Sequence, residues 1–239
     1  MMQPTIDSNR SAFIYPDGRK PGCLPRASRP GEVCPLAAER IKIIPRQEWA
    51  DYAADISLRP HVKTVLNQGS VGSCAFESPC GGTMIARSIQ GLEHVVLNPY
   101  FGYHTTSGGR DQGSSIDDNL AFMRQYGCAS EAVWPRSKGW RTKPSEEAWA
   151  DALYYRIEEF YDVTSIDEMV SCLLYGFPVI YGSNGHAVCK VQHIDDSKGL
   201  DLNSWGSDWG DGGFGVWASY RAVNWGYGAF AIRVANQVS

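Results

Sequence analysis

The sequence lacks the features that define several large classes of proteins. No apolar run approaches the roughly 18 residues of a membrane-spanning helix, so we expect no membrane partner. The first residues contain no apolar segment typical of a secretory signal. The formal net charge of −4 argues against a nucleic-acid partner. These absences favour a cytoplasmic or virus-particle-associated protein, while the location and the oligomeric state stay open.

Cysteine spacing excludes a second group of proteins. The seven cysteines contain no CxxC pair, which excludes a zinc ribbon or a thioredoxin-type site. We expect no metal and no other cofactor. Without a secretory signal, most of these thiols should be reduced. A disulfide between Cys23 and Cys34 stays open for a protein that is exported by another route.

The residues that are present indicate a folded domain with a distinct beginning. Hydrophobic residues make up 43% and charged residues 20% of the 239 residues, which suits one large domain or two lobes around a cleft. Residues 1–43 form a Pro-rich basic arm, and residues 44–239 form the domain. Up to residue 46 the formal charge is +4, and the rest of the chain carries −8. The arm is either a short pro-segment that covers a cleft or a packing arm or disordered leader that lies on the acidic body.

Helical patterns dominate the first half of the domain. Capping serines and terminal glycines predict helices over residues 115–127, 145–157 and 165–176. A further helix is predicted over residues 74–90.

Strand patterns dominate the second half. Residues 178–182 and 186–194 predict two strands, joined by a turn at 183–185 in which Asn-Gly favours a hairpin. The tail, rich in Gly and aromatic residues, is typical of antiparallel strands. The whole pattern predicts an α+β fold with a cleft between a helical half and a β half.

The stretch NQGSVGSCAF, residues 67–76, has the composition of an activated cysteine site. A thiol attacks as the thiolate, which the positive end of a helix stabilises. If Ser73 caps a helix that begins at Cys74, the thiol lies at that end. Gly72 lets a substrate approach, and the Gln68 amide would complete an oxyanion hole with the Cys74 N–H. The plainer alternative is a capped helix with a buried, inert cysteine.

Among five histidines, His186 is the best placed to act as the base. It follows the Asn-Gly turn at the start of a strand, whereas alternation puts His193 on the opposite face. Asn203, at the start of NSWGSDWG, would hold the imidazole in the useful tautomer. Trp205 would shield that hydrogen bond from water.

A calcium site is the competing interpretation of the segment around Asn203. Asp201, Asn203 and Gly206 begin like an EF-hand loop. The twelfth position is Gly212, where such a loop needs a bidentate Glu, so calcium is excluded.

In order along the chain, Gln68, GSC at 72–74, GHAV at 185–188 and NSWGSDWGDGGFG at 203–215 resemble the motifs of the papain family of cysteine peptidases. The resemblance runs from about Ile44 to the C-terminus and implies a helical left lobe and a β right lobe. It implies four catalytic residues: Cys74 as nucleophile, His186 as general acid and base, Asn203 as orienting residue and Gln68 in the oxyanion hole. It also implies substrate contacts at Gly72, Ser73, Gly113, Ser114, Gly185 and Trp205.

The chain departs from the family pattern at several positions. Val71 stands where the family has a disulfide cysteine, and Ala75 stands where the family has a tryptophan after the nucleophile. Pro79 lies inside the nucleophile helix, where an interior proline costs roughly 3 kcal/mol and predicts a kink. His186 follows the nucleophile by 112 residues, a closer spacing than the family usually has.

The motifs predict a cysteine endopeptidase that cleaves peptide or protein substrates through a Cys-His-Asn triad and a thioester acyl-enzyme. Two alternatives stay open. A catalytically impaired papain-like scaffold would serve as a binding or structural module, for example in a virus particle. A related acyl transferase or amidase would use the same residues. A reactive thiol would distinguish either enzyme from the binding scaffold. Only the substrates that react would distinguish the peptidase from the acyl transferase or amidase.

Overall fold

The computed structural model describes residues 18–53 and 56–235, so the first part of the predicted arm lies outside the described residues. The helices are α1 (Trp49–Ala53), α2 (Cys74–Ile89), α3 (Tyr100–Thr106), α4 (Ile116–Tyr126), α5 (Glu146–Ala152) and α6 (Ile166–Leu174). The strands are β1 (Cys23–Leu24), β2 (Ser114–Ser115), β3 (Ile157–Asp162), β4 (Val179–Ser183), β5 (His186–Asp195), β6 (Lys198–Leu202), β7 (Phe214–Gly215) and β8 (Ala229–Ala235).

The second half of the chain builds an antiparallel sheet in the order β3-β8-β4-β5-β6-β7. Strands β4 and β5 form the predicted hairpin, and its turn residues Asn184 and Gly185 have φ angles of 53° and 74°. Glycine and asparagine adopt this left-handed conformation at low cost, which is why Asn-Gly suits the tight turn. The turn fixes the register and places His186 at the first position of β5.

The two faces of the sheet bury two separate clusters of apolar side chains. One face packs against α2, whose other side meets α3 and α4. The opposite face packs against α6. A Cβ on Gly82 would lie 2.8 Å from Ile180 Cδ1, so glycine at this point of α2 lets the helix come close to the sheet. The result is the predicted α+β, two-lobe architecture, with the start of α2 beside the start of β5.

Helices α4 and α6 confirm two of the helix predictions. The hydroxyl of Ser115 accepts the backbone N–H of Asp118 at 3.3 Å, and that of Ser165 accepts the N–H of Glu168 at 3.2 Å. Both serines therefore cap their helices as the sequence pattern indicates. No helix within the described ranges has the length and apolar character to cross a membrane.

The prediction of a helix over residues 145–157 was too long. Ser145 caps α5 as expected, but α5 ends at Ala152 and one 3-10 turn follows. Strand β3 then begins at Ile157 and pairs with β8. Pairing with β8, which is distant in the sequence, overrides the local helical pattern of these residues. A short window of sequence does not contain that contact.

Pro79 does not end α2, which continues to Ile89. Proline has no N–H to donate to the carbonyl of Ala75 four residues earlier. The side-chain amide of Asn119 donates to that carbonyl at 2.7 Å. A partner from α4 thus replaces the missing helical hydrogen bond, and the first turn, which carries Cys74, keeps its satisfied backbone.

Candidate active site

The cysteine of the GSC motif begins the nucleophile helix. Cys74 is the first residue of α2 and has no exposed surface. The backbone N–H groups of Ala187, which follows His186 on β5, and of Gly22, in the arm, lie close enough to its sulfur to favour the ionised form. The Ser73 hydroxyl does not cap the helix; it donates to Glu77 Oε1 at 3.0 Å. The helix start and the sheet therefore meet at the sulfur.

The imidazole of His186 is held from several sides. Its Nε2 lies 2.8 Å from Asn203 Oδ1, which also accepts the N–H of Ser204 at 2.8 Å. Because that oxygen is an acceptor, Nε2 carries the ring proton, and the neutral ring keeps Nδ1 as its basic nitrogen. The indole of Trp205 stacks on the ring at 4.5 Å between centroids, and Trp217 meets it edge-on at 4.9 Å. These contacts fix both the tautomer and the ring plane.

The side chain of Gln68 is oriented by its neighbours. Its Oε1 accepts the hydroxyl of Ser204 at 2.8 Å, so the amide nitrogen points the other way. That nitrogen donates to the carbonyls of Val71 at 2.9 Å and Lys20 at 3.1 Å. These three contacts fix the direction in which the Gln68 amide donates.

Two residues that sequence reasoning missed hold the Gln68 loop against α2. Arg136 donates to Glu77 Oε2 at 2.8 Å and to the carbonyl of Asn67 at 2.5 Å. Glu77 has 1% of its surface exposed, so its charge needs this partner. Glu77 lies three residues beyond Cys74 on α2. An acidic residue inside this helix was the only sequence signal that a buried cation would bind there.

The arm runs through the cleft between the two lobes, and residues 19–24 are hereafter called the cleft segment. Strand β1 within it pairs in parallel with β2. The N–H of Ser114 donates to the carbonyl of Gly22, and the N–H of Cys23 donates to the carbonyl of Gly185, both at 2.9 Å. The guanidinium of Arg19 lies 4.4 Å from the ring centre of Trp205. The structure therefore brings the cleft segment onto three of the residues for which substrate contacts are expected.

Close backbone contacts leave no room for a side chain on Gly22. A Cβ added there would lie 1.8 Å from the carbonyl oxygen of Gly72. A Cβ on Gly113, whose φ is 83°, would lie 2.6 Å from the carbonyl oxygen of Gly22. Glycine at positions 22 and 113 therefore lets the cleft segment lie directly against the backbone of the domain.

Three aspartates of the domain, missed by sequence reasoning, anchor the arm. Asp111 binds the ammonium of Lys20 at 2.9 Å, and Asp162 binds the guanidinium of Arg26 at 2.6 Å. Asp117 accepts the backbone N–H of Ser28 at 2.7 Å. The opposite charges of arm and domain were the one sequence signal for such contacts.

Further along, the arm becomes part of the core. Ala37 and Cys34 are buried, and Leu36 forms a parallel β-bridge with Asp162. All seven cysteines are free thiols, so the bridge between Cys23 and Cys34 that the sequence leaves open is not formed here. The division of the chain at residue 43 stays a prediction.

Burial under the cleft segment keeps the two reactive groups neutral. Burial raises the pKa of the Cys74 thiol to about 11. Burial also lowers the pKa of His186 to about 4, although the hydrogen bond that its Nε2 donates to Asn203 opposes the shift. At neutral pH the covered site therefore holds a thiol and an imidazole instead of a thiolate and an imidazolium.

We expect acid to loosen the cleft segment. His186 has a lowered pKa while it is covered, so the open form binds the extra proton, and docking weakens as pH falls from about 6.5 towards 4. The pKa values of Asp111 and Asp117 are lowered despite burial, since each carboxylate accepts hydrogen bonds from the arm, so their contribution is lost only below about pH 4. Hydrogen exchange of residues 18–24 should lose protection about tenfold per pH unit between pH 6 and 4.

The control for this experiment removes the titrating group. In His186→Gln, protection of residues 18–24 should stay flat over the same interval, after correction for intrinsic exchange. Protection of β8 should stay flat in both proteins. A profile for residues 18–24 that is unchanged between the parent and His186→Gln would contradict the assignment to His186.

Comparisons with known proteins bear on the fold. No family model matches the chain. An uncharacterized peptidase C1-like protein of Acanthamoeba polyphaga mimivirus is 26% identical over 200 residues, which cover 65% of this chain and 64% of that relative. Xylellain, a cysteine protease from Xylella fastidiosa, superposes with a TM-score of 0.71 at 20% identity, over 97% of this chain and 100% of that chain. A recombinant stem bromelain precursor superposes with a TM-score of 0.66 at 15% identity, over 90% of this chain and 78% of that chain.

These likenesses establish the class of fold. The chain has the papain-like cysteine protease fold, and the resemblance found in the sequence motifs is confirmed at that level. The chain spans just under two thirds of the length of the curated relative, whose name marks it as peptidase C1-like.

Proposed function

We propose that the chain is a cysteine peptidase that hydrolyses peptide bonds through Cys74 and is held latent by its own arm. One observation carries the proposal: the Gln68 amide donates to the carbonyl of Lys20, so a peptide carbonyl already lies on the predicted oxyanion-hole donor. The same cleft holds the sulfur and the oriented imidazole.

Each group has one step in the proposed reaction. With the cleft segment displaced, His186 takes the thiol proton, and the thiolate attacks the substrate carbonyl carbon. The Gln68 amide and the Cys74 N–H bind the oxygen as it gains negative charge. His186 then passes the proton to the departing amine, which breaks the C–N bond and leaves a thioester. Water, deprotonated by His186, attacks the thioester and releases the acid and the thiol.

The arm itself is a poor substrate for this reaction. The sulfur lies near the N–H of the Pro21–Gly22 peptide bond, whereas the carbonyl on the Gln68 amide belongs to the preceding bond, Lys20–Pro21, so the two groups do not act on one peptide bond. Parallel pairing of β1 with β2 fixes this orientation. Attack requires reacting atoms about 3–3.5 Å apart in the correct alignment, so the docked arm should persist intact.

A peptide-cleavage assay tests the proposal. A mixture of unstructured peptides is incubated with Gly22→Ala, in which the cleft segment has no room to dock, and with Gly22→Ala/Cys74→Ala. We expect new amino termini from the first protein and none from the second. Products that carry a transferred amine in place of water would assign an acyl transferase instead. No product from a folded Gly22→Ala protein would contradict the proposal and favour the binding scaffold.

A further inference from the structure

Asp111 places a carboxylate in the wall of the cleft. One of its oxygens is held by residues of the domain, and the other binds the arm. Its Oδ1 accepts the N–H of Gly72 at 2.9 Å and the hydroxyl of Tyr103 at 2.8 Å. Its Oδ2 binds the ammonium of Lys20 at 2.9 Å. The first pair of bonds sets the plane of the carboxylate, so the second oxygen points into the cleft whether or not a cation is present.

The position of this carboxylate is adjacent to the reacting groups. Gly72 lies two residues before the nucleophile, and Asp111 lies two residues before Gly113 on the segment that pairs with the cleft segment. Lys20, the residue that Asp111 binds, is also the residue whose carbonyl accepts the Gln68 amide. A side chain that reaches Asp111 therefore belongs to a residue at the oxyanion hole.

Asp111 loses its oppositely charged partner when the arm leaves. About a fifth of its side chain is exposed with Lys20 in place, so the contact is open to solvent on one side. With Lys20 in place, burial raises the pKa of Asp111, but hydrogen bonds from Lys20, Tyr103 and Gly72 outweigh that effect and lower it. A half-buried carboxylate that has lost its counter-ion favours any cation of matching reach.

We propose that Asp111 is a specificity-determining residue that selects substrates with a lysine or arginine next to the cleaved bond. The inference rests on the proposed peptidase function. In this account the arm uses Lys20 to occupy the subsite that a substrate cation fills after release. The ammonium of Lys20 also donates to the backbone carbonyl of Asp111, so the subsite offers a neutral acceptor beside the charged one.

The test compares two peptides that differ by one charge. Both carry the same sequence, with lysine in one and its uncharged analogue norleucine in the other, at each position next to the cleaved bond in turn. In the Gly22→Ala protein we expect kcat/KM to be about tenfold higher for one lysine peptide, the effect of one charge-assisted hydrogen bond. In Gly22→Ala/Asp111→Asn the ratio should fall to near one, since Asn keeps an acceptor for Gly72 and Tyr103 but loses the charge.

A matched control separates this site from the general charge of the domain. Gly22→Ala/Asp118→Asn removes one negative charge from an exposed residue of α4, and it should keep the lysine preference. Equal rates for the two peptides, or a preference that survives in the Asp111→Asn protein, would overturn the inference and leave the peptidase function standing. Absence of any cleavage would overturn both.

Discussion

Replacing Gly22 with alanine should release the arm and expose the active site. The new Cβ would lie 1.8 Å from the oxygen and 2.2 Å from the carbon of the Gly72 carbonyl, and both are backbone atoms that cannot rotate away. Overpacking of this kind costs about 3 kcal/mol. The fraction of molecules with an open cleft, and with it the peptide-cleavage rate, should rise roughly a hundredfold.

Limited proteolysis measures release without relying on enzyme activity. The side chain of Arg26 is 11% exposed and paired with Asp162 in the docked arm, so trypsin should cut after it slowly. In Gly22→Ala the cut should be many times faster. Gly18→Ala is the matched control, since a Cβ there meets nothing within 4 Å although its φ of 83° costs about 1 kcal/mol locally. Equal cutting of the parent and Gly22→Ala would show that the cleft segment does not hold the arm.

Removing the charge of Asp201 should destabilise the whole sheet. Asp201 on β6 and Lys190 on β5 are neighbours across the two strands, with no exposed surface on either side chain and 2.9 Å between Oδ1 and Nζ. Burial raises the pKa of Asp201 even beside this ammonium. In Asp201→Asn the ammonium stays buried without a counter-charge, which costs about 3–5 kcal/mol. Denaturation in guanidinium chloride should show that loss of unfolding free energy.

A double variant distinguishes the pair from either residue alone. Lys190→Met/Asp201→Asn removes both charges, keeps an acceptor for the N–H of Trp217, and leaves the methionine among the rings of Tyr181 and Tyr220. We expect it to recover most of the stability that Asp201→Asn loses. Additive losses in the double-variant cycle would instead mean that the two charges do not depend on each other.

The ion pair also bears on the site, because β5 begins with His186 and Asn203 directly follows β6. The backbone N–H of Trp217 donates to Asp201 at 2.9 Å, and the indole of the same residue contacts the His186 ring edge-on. Loss of the ion pair should therefore loosen the contact between the His186 imidazole and the Trp217 indole before it affects α2. Stability and the orientation of the base are linked through the same two strands.

Local chemistry made part of this molecule predictable. The Asn184-Gly185 turn is specified by the two residues themselves, so the hairpin and the position of His186 followed from it. The helix start at Cys74 and the caps formed by Ser115, Ser145 and Ser165 are likewise local, whereas the predicted Ser73 cap is not formed. Their hydrogen bonds span only a few residues, which a sequence window contains.

Long-range contacts made the rest unpredictable. Asn119 satisfies the Ala75 carbonyl that Pro79 leaves open, across 44 positions of the chain. Asp111 and Lys20 are 91 positions apart. Their pairing depends on how the arm enters the cleft, and several acidic residues would have matched its charge equally well. Charge asymmetry therefore indicated a contact between arm and domain but not the residues that form it.

The most direct test of a latent cysteine peptidase is the intact mass of the protein after treatment with an epoxysuccinyl peptide inhibitor at neutral pH. The parent, Gly22→Ala and Gly22→Ala/Cys74→Ala are treated side by side. We expect one slow adduct on the parent, a fast adduct on Gly22→Ala and none on the protein without Cys74. Absence of an adduct on folded Gly22→Ala, or an adduct that persists without Cys74, would contradict the proposal.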